Sequence, residues 1–134
     1  MIDKEELDQD PAPTGELTLQ TLAMPRDTNA NGDIFGGWLV SQMDLAAGIA
    51  MKRVAKGRSA TVAIKNVNFL YPVNVGSTVS CYAELEEIGR SSAHINIEVW
   101  IFNAGADENL RKVAEGQFVF VAIDDNGRTR PIPR

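Results

Sequence analysis

Residues 36–55, GGWLVSQMDLAAGIAMKRVA, constrain the fold more than any other stretch. They read as one long helix whose apolar side chains recur on nearly every side. Such a helix must be covered on most sides. Lys52, Arg53 and Lys56 suit its negative C-terminal end, and Gly57 suits the position just past it. Most of the chain beyond residue 59 reads as strand: ATVAIKNVNFLYPV, STVSCYAELEEIG, SSAHINIEVWIFN and LRKVAEGQFVFVAID. Val79, Cys81, Ala83 and Leu85 share one face of their run. Ala93, Ile95, Ile97, Val99 and Ile101 share one face of the next. Gly76, Gly89 and residues 103–109 supply turns. Before the helix, ELTLQTLAMP reads as a first strand ended by Pro25, and RDTNANGD as a loop. Short connections favour antiparallel neighbours. The expected fold class is α+β, with one antiparallel sheet of about five strands and one long helix. Either the sheet curls around that helix or a second subunit covers what remains, and both are expected here.

The 134 residues suit one domain. Residues 1–15, acidic and carrying Pro11 and Pro13, read as a flexible arm; 16–125 read as the domain and 126–134 as a basic tail. The net charge of −5 argues against a nucleic-acid surface. The single cysteine, Cys81, excludes an intrachain disulfide and, with one histidine, a Cys/His metal cluster. The expected compartment is the reducing cytoplasm, with no metal and no cofactor. The N-terminus lacks the apolar core of a signal peptide. Ser41, Gln42, Asp44, Lys52 and Arg53 make the helix too polar to span a membrane.

Asp44 is out of character with its helix. Its neighbours at three and four residues are Val40, Ser41, Ala47 and Gly48, so no local cation pairs with it. A buried lone carboxylate is costly unless it is paired or hydrogen-bonded. The plain alternative is a solvent-facing or structurally bonded side chain. Gly36 and Gly37 open the same helix, where free backbone N–H groups and the positive dipole end gather. Such N–H groups can form an oxyanion hole for acyl transfer; a tight helix start is the plain reading. Gly36 and Asp44 lie roughly 12 Å apart along the axis. An attacking oxygen and an oxyanion donor must both lie within about 3 Å of one carbonyl group. One chain cannot easily do this, but two antiparallel copies of the helix can. An acyl-transfer site here belongs at a two-fold dimer interface.

TNANGDIFGGWLVSQMD closely resembles the signature of the YciA-like acyl-CoA thioesterases of the hotdog-fold superfamily. The likeness runs along most of the chain, through VNFLYPVNVGSTV, GRSS and INIEVW. It implies a hotdog fold, in which a curved antiparallel sheet wraps a central helix. It also implies homodimers with paired helices and a trimer-of-dimers hexamer. The implied activity is hydrolysis of acyl-CoA to free acid and CoA without a metal. Asp44 takes the place of the general base or nucleophile. The N–H groups at Gly36 and Gly37 take that of the thioester polariser. Related enzymes use a carboxamide from the loop before the helix, and some have asparagine where this chain has Asp33. Asn29 is the candidate amide, ahead of Asn31, with simple turn roles as the alternative. The competing function is a non-catalytic acyl-CoA-binding hotdog protein.

Phe35, Trp38 and Phe69 are candidates to line an acyl or pantetheine channel, with core packing the alternative for each. Arg58 and Arg90, in turns beside strands, lead the candidates for the CoA phosphates, ahead of Lys56, Lys65, Arg128 and Arg130. His94 shares a face with Asn96 and Glu98, away from the apolar face of its strand. That argues against the histidine–acid pair of hotdog dehydratases. Trp100 and Phe102 on the same face leave an apolar end exposed. Cys81 reads as core.

Overall fold

The computed structural model describes residues 12–102 and 110–134. The helix α1 spans Gly36–Ala55. Around it lie β1 (Glu16–Leu22), β2 (Ser59–Phe69), β3 (Thr78–Ile88), β4 (Ser92–Phe102) and β5 (Leu110–Ala122). They form one sheet in the order β1-β3-β4-β5-β2, with every neighbouring pair antiparallel. The helix touches all five strands, so the sheet curls around it. The sheet does not close: β1 and β2 are its edges.

Local chemistry explains the main elements. Leu39, Met43, Ala46, Ala47, Met51 and Ala55 form the buried face of α1. Three of these are alanines, which let the sheet approach closely. Ala93, Ile95, Ile97, Val99 and Ile101 alternate inward along β4 and are all buried. Phe118 on β5 is the largest fully buried side chain.

Several local expectations need correction. β1 stops at Leu22, not at Pro25. Pro25 opens a short 3₁₀ turn to Asp27, and the Ala23 N–H donates to the Ser77 carbonyl at 3.0 Å. The left-handed residue ending α1 is Lys56, at φ 51°, and not Gly57. Gly57 answers a different need, because a Cβ there would lie 2.7 Å from the Arg130 guanidinium. That guanidinium donates to the Ala55 carbonyl at 2.9 Å and to the Ile123 carbonyl at 2.8 Å. β2 also breaks strict alternation, with register shifts between Thr61 and Ala63 and between Lys65 and Asn68. The first sets Ile64 opposite buried Phe118 and Lys65 opposite Gln117, and the second sets Phe69 opposite Ala114. Asn66 absorbs the second shift at φ 54°, a conformation asparagine tolerates better than most residues.

Trp100 is not exposed as expected: it retains only 4% of its surface, while Phe102 keeps 41%. The Trp100 indole N–H donates to Glu98 Oε1 at 3.0 Å, and the Thr14 N–H donates to the same oxygen at 3.1 Å. Lys112 bridges Glu98 at 3.4 Å and Glu115 at 2.7 Å. The hydrogen bond to Glu115 holds the Lys112 ammonium above its usual pKa, and the same bond holds Glu115 below its own. The first 11 residues of the expected arm and the turn at 103–109 lie outside the described residues.

Candidate active site

The loop before α1 is built to leave donors unused. Asp27 is buried, and its carboxylate accepts the Met24 N–H at 3.1 Å. Its backbone carbonyl accepts the Phe35 N–H at 3.1 Å, which fixes where the helix begins. Asn29 Oδ1 accepts the N–H groups of Asn31 at 2.9 Å and Asp33 at 3.2 Å. With its oxygen committed to that turn, the Asn29 amide group is what remains to donate outward. The Asp33 backbone closes the turn, its carbonyl accepting the Asn29 N–H at 2.7 Å. The Asp33 carboxylate meets no partner among the described residues.

Phe35 caps α1 without a side-chain bond, and its carbonyl accepts the Trp38 N–H at 3.1 Å. The N–H groups of Gly36 and Gly37 meet no acceptor among the described residues. They stand at the positive end of a helix of 20 residues, ready for an anion or a polarised carbonyl. Aromatic rings crowd both glycines. A Cβ on Gly36 would lie 3.0 Å from the Phe69 ring, and one on Gly37 would lie 3.3 Å from the Phe35 ring.

Asp44 is half-buried, two turns further along. The Thr61 hydroxyl on β2 donates to Asp44 Oδ1 at 2.7 Å. No cation reaches the carboxylate, and Oδ2 has no partner among the described residues. Ser41, one turn before Asp44, spends its hydroxyl on the Trp38 carbonyl at 2.6 Å. Gly48 faces Phe120, and a Cβ on it would lie 3.7 Å from that ring. The arrangement is a carboxylate held by one oxygen and free to accept a proton with the other. Thr61 was not among the sequence candidates. Nothing local marks it; only the pairing of β2 with β5 aims it at the helix. Thr61→Val keeps the shape and removes the donor. Its kcat is expected to fall about tenfold, the scale of one hydrogen bond to a charged group. Steady-state kinetics on a preferred substrate check this, and an unchanged kcat removes Thr61 from the site.

The remaining candidates divide by location. Phe35, Asn29 and Asp33 gather at the start of α1. Trp38 packs partly against the core. Arg58 and Arg90 sit at the other end of the molecule, flanking the end of β5 through the pairs Ser59–Ala122 and Ser92–Val121. The Arg58 guanidinium donates to the Asp124 and Asp125 carbonyls at 3.3 and 3.1 Å. The Arg90 carbonyl accepts the Ile132 N–H at 2.7 Å, and its side chain is exposed. Lys56, Lys65 and Arg128 are exposed, while Arg130 is committed to carbonyls. His94 pairs with Glu87 and Val119 on the outer face of the sheet, remote from Asp44. Burial pushes the Cys81 thiol up to about 12, so it is no nucleophile. Among the described residues no cluster of three or more His, Cys, Asp or Glu could hold a metal, and no helix is long and apolar enough to cross a membrane.

The flank beside Asp44 is apolar and uncovered. Leu45 and Ile49 on α1, and Val62 and Ile64 on the edge strand β2, are all exposed. The sequence model of the thioesterase superfamily matches residues 31–105, which span the helix start, Asp44 and Thr61. The chain belongs to the thioesterase superfamily. Within that superfamily it is 50% identical over 126 residues to the acyl-CoA thioester hydrolase YciA of Salmonella typhimurium, covering 92% of this chain and 95% of the relative. The hexameric thioesterase of Yersinia pestis superposes with a TM-score of 0.87 at 50% identity, over 92% of this chain and 100% of the other. A hexameric broad-specificity acyl-coenzyme A thioesterase, solved as an aspartate-to-alanine mutant, superposes with a TM-score of 0.88 at 50% identity, over 90% of this chain and 88% of the other. The hotdog thioesterase fold is thus shared along most of the chain.

Proposed function

We propose that this protein is an acyl-CoA thioester hydrolase, converting acyl-CoA and water to a free carboxylic acid and CoA. The observation that carries the reading is the Asp44 carboxylate, anchored by Thr61 at 2.7 Å and open at Oδ2, in a chain half identical to acyl-CoA thioester hydrolases. Asp44 takes a proton from water as the water oxygen attacks the thioester carbonyl. The N–H groups at Gly36 or Gly37 stabilise the oxyanion that forms. Asn29 offers an amide beside them. Collapse of the tetrahedral intermediate breaks the carbon–sulfur bond, and the proton held by Asp44 passes to the departing thiolate. In the variant form of the step, Asp44 attacks first and water cleaves the resulting anhydride. A single turnover in ¹⁸O-water that leaves label in the Asp44 carboxylate establishes the anhydride route, with water attacking the Asp44 carbonyl of the anhydride.

The site is shared between two chains. Asp44 and the start of its own helix stand about 12 Å apart along the axis. The exposed Leu45, Ile49, Val62 and Ile64 flank suits a second copy, and an antiparallel partner helix brings its glycines to Asp44. The hexameric relatives support a trimer of such dimers. Phe35 and Trp38 stand beside the acyl or pantetheine path, and Arg58 and Arg90 await the CoA phosphates. The lone reduced cysteine supports a cytoplasmic location.

Mixing two inactive variants tests the shared site. Gly36→Pro deletes the N–H at the first helical position and also crowds the Phe69 ring, 3.0 Å from a Cβ there. Asp44→Ala deletes the base. Co-refolded mixtures are expected to regain thiol release, because each mixed dimer keeps one intact pair: Asp44 of one chain and Gly36 of the other. Mixtures as inactive as their parents place the whole site within one chain.

A further inference from the structure

We propose that Phe69 sets acyl specificity, by walling the site beside the thioester carbonyl and excluding acyl groups that branch next to it. The inference rests on the hydrolase reading. Phe69 is 52% exposed. Yet its backbone is fixed on both sides. The Leu70 N–H donates to the Val113 carbonyl at 2.7 Å, and Asn68 Nδ2 donates to Glu115 Oε2 and to the Asn66 carbonyl, both at 3.3 Å. Phe69 pairs with fully buried Ala114, which places it on the helix side of the sheet. Three of its ring atoms lie 3.0–3.4 Å from where a Gly36 Cβ would stand. The ring therefore rests on the start of α1, in space that only glycine leaves free.

An oxyanion donor must sit about 3 Å from the thioester oxygen. A ring in contact with Gly36 is then within reach of the carbon bonded to that carbonyl. Two groups leave the carbonyl: the pantetheine arm, whose amides need hydrogen-bond partners, and the acyl chain, which needs none. The rings of Phe69 and Phe35 offer no such partners, so the acyl chain is the group they meet.

Butyryl-CoA and isobutyryl-CoA have the same number of carbons and differ only in branching beside the carbonyl. Phe69→Ala is expected to raise the isobutyryl-to-butyryl ratio of kcat/KM about tenfold, with Phe69→Leu in between. The ratio of butyryl-CoA to S-butyryl-N-acetylcysteamine, which lacks most of the CoA arm, should stay constant. Thermal melts of Phe69→Leu report whether the fold survives. An unchanged branching ratio, equal losses on both acyl groups, or a shift confined to the truncated thioester overturns the proposal while leaving the hydrolase reading intact. An unmodified protein that hydrolyses none of these substrates overturns the proposal, and overturns the hydrolase reading as well when acyl-CoAs of every other chain length also fail.

Discussion

Asp44→Ala is expected to lower thioester hydrolysis by about 10²–10⁴-fold, the usual contribution of a positioned base. The assembly should remain intact. Asp44 has one hydrogen bond, from Thr61, and no ion pair among the described residues, so little of the fold depends on it. Its removal leaves the Thr61 hydroxyl without that acceptor, at the edge of the sheet. Thiol release measured on a panel of acyl-CoA chain lengths gives the rate, and light scattering gives the assembly. A loss confined to kcat/KM at unchanged kcat would point to binding, not to proton transfer. Near-normal turnover across the panel would end the role of Asp44 as base or nucleophile. Failure of the unmodified protein on every chain length would favour an acyl-CoA-binding protein instead.

The largest expected loss of stability comes from Phe118→Ala. Phe118 is 0% exposed at the centre of β5, opposite Ile64 on one side and Ile95 on the other. Its ring also lies 3.4 Å from where a Gly116 Cβ would stand. The glycine leaves that space, so truncating the ring opens a cavity that Gly116 has no side chain to refill. The expected cost is about 3–5 kcal/mol of unfolding free energy. That is a large share of a total of about 5–15 kcal/mol. Phe102→Ala, on the exposed outer face, is expected to cost about 0.5 kcal/mol or less. Urea unfolding of both variants at one protein concentration makes the comparison, because any self-association adds to apparent stability. Equal midpoints for the two variants contradict the packing described for β5.

Much of the site is legible without the fold. The helix bounds follow from local signals: a glycine pair without competing side chains at one end, and Lys52, Arg53 and Lys56 at the other. Asp44 stands out because no cation lies within a turn of it. The rise of a helix then keeps Gly36 and Asp44 of one chain about 12 Å apart, from arithmetic alone. Thr61 is not legible, because a threonine in a β-rich run looks the same whichever side chain it meets. Trp100 escapes for a related reason. Alternation names the face of a strand, but not that Glu98 and Thr14 meet over it.

The sequence by itself determined the elements and their faces, because helix and strand periods are local and each residue reports its own. It also determined the chemical oddity of Asp44, because a carboxylate keeps its character wherever it falls. Only the tertiary structure decided that β2 crosses to β5 and β1 to β3, since backbone hydrogen bonds join any two strands equally well. That choice rests on which arrangement covers the helix with all five strands. With it came Thr61 beside the helix, and the two register shifts of β2, which set Ile64 opposite Phe118 and Phe69 opposite Ala114.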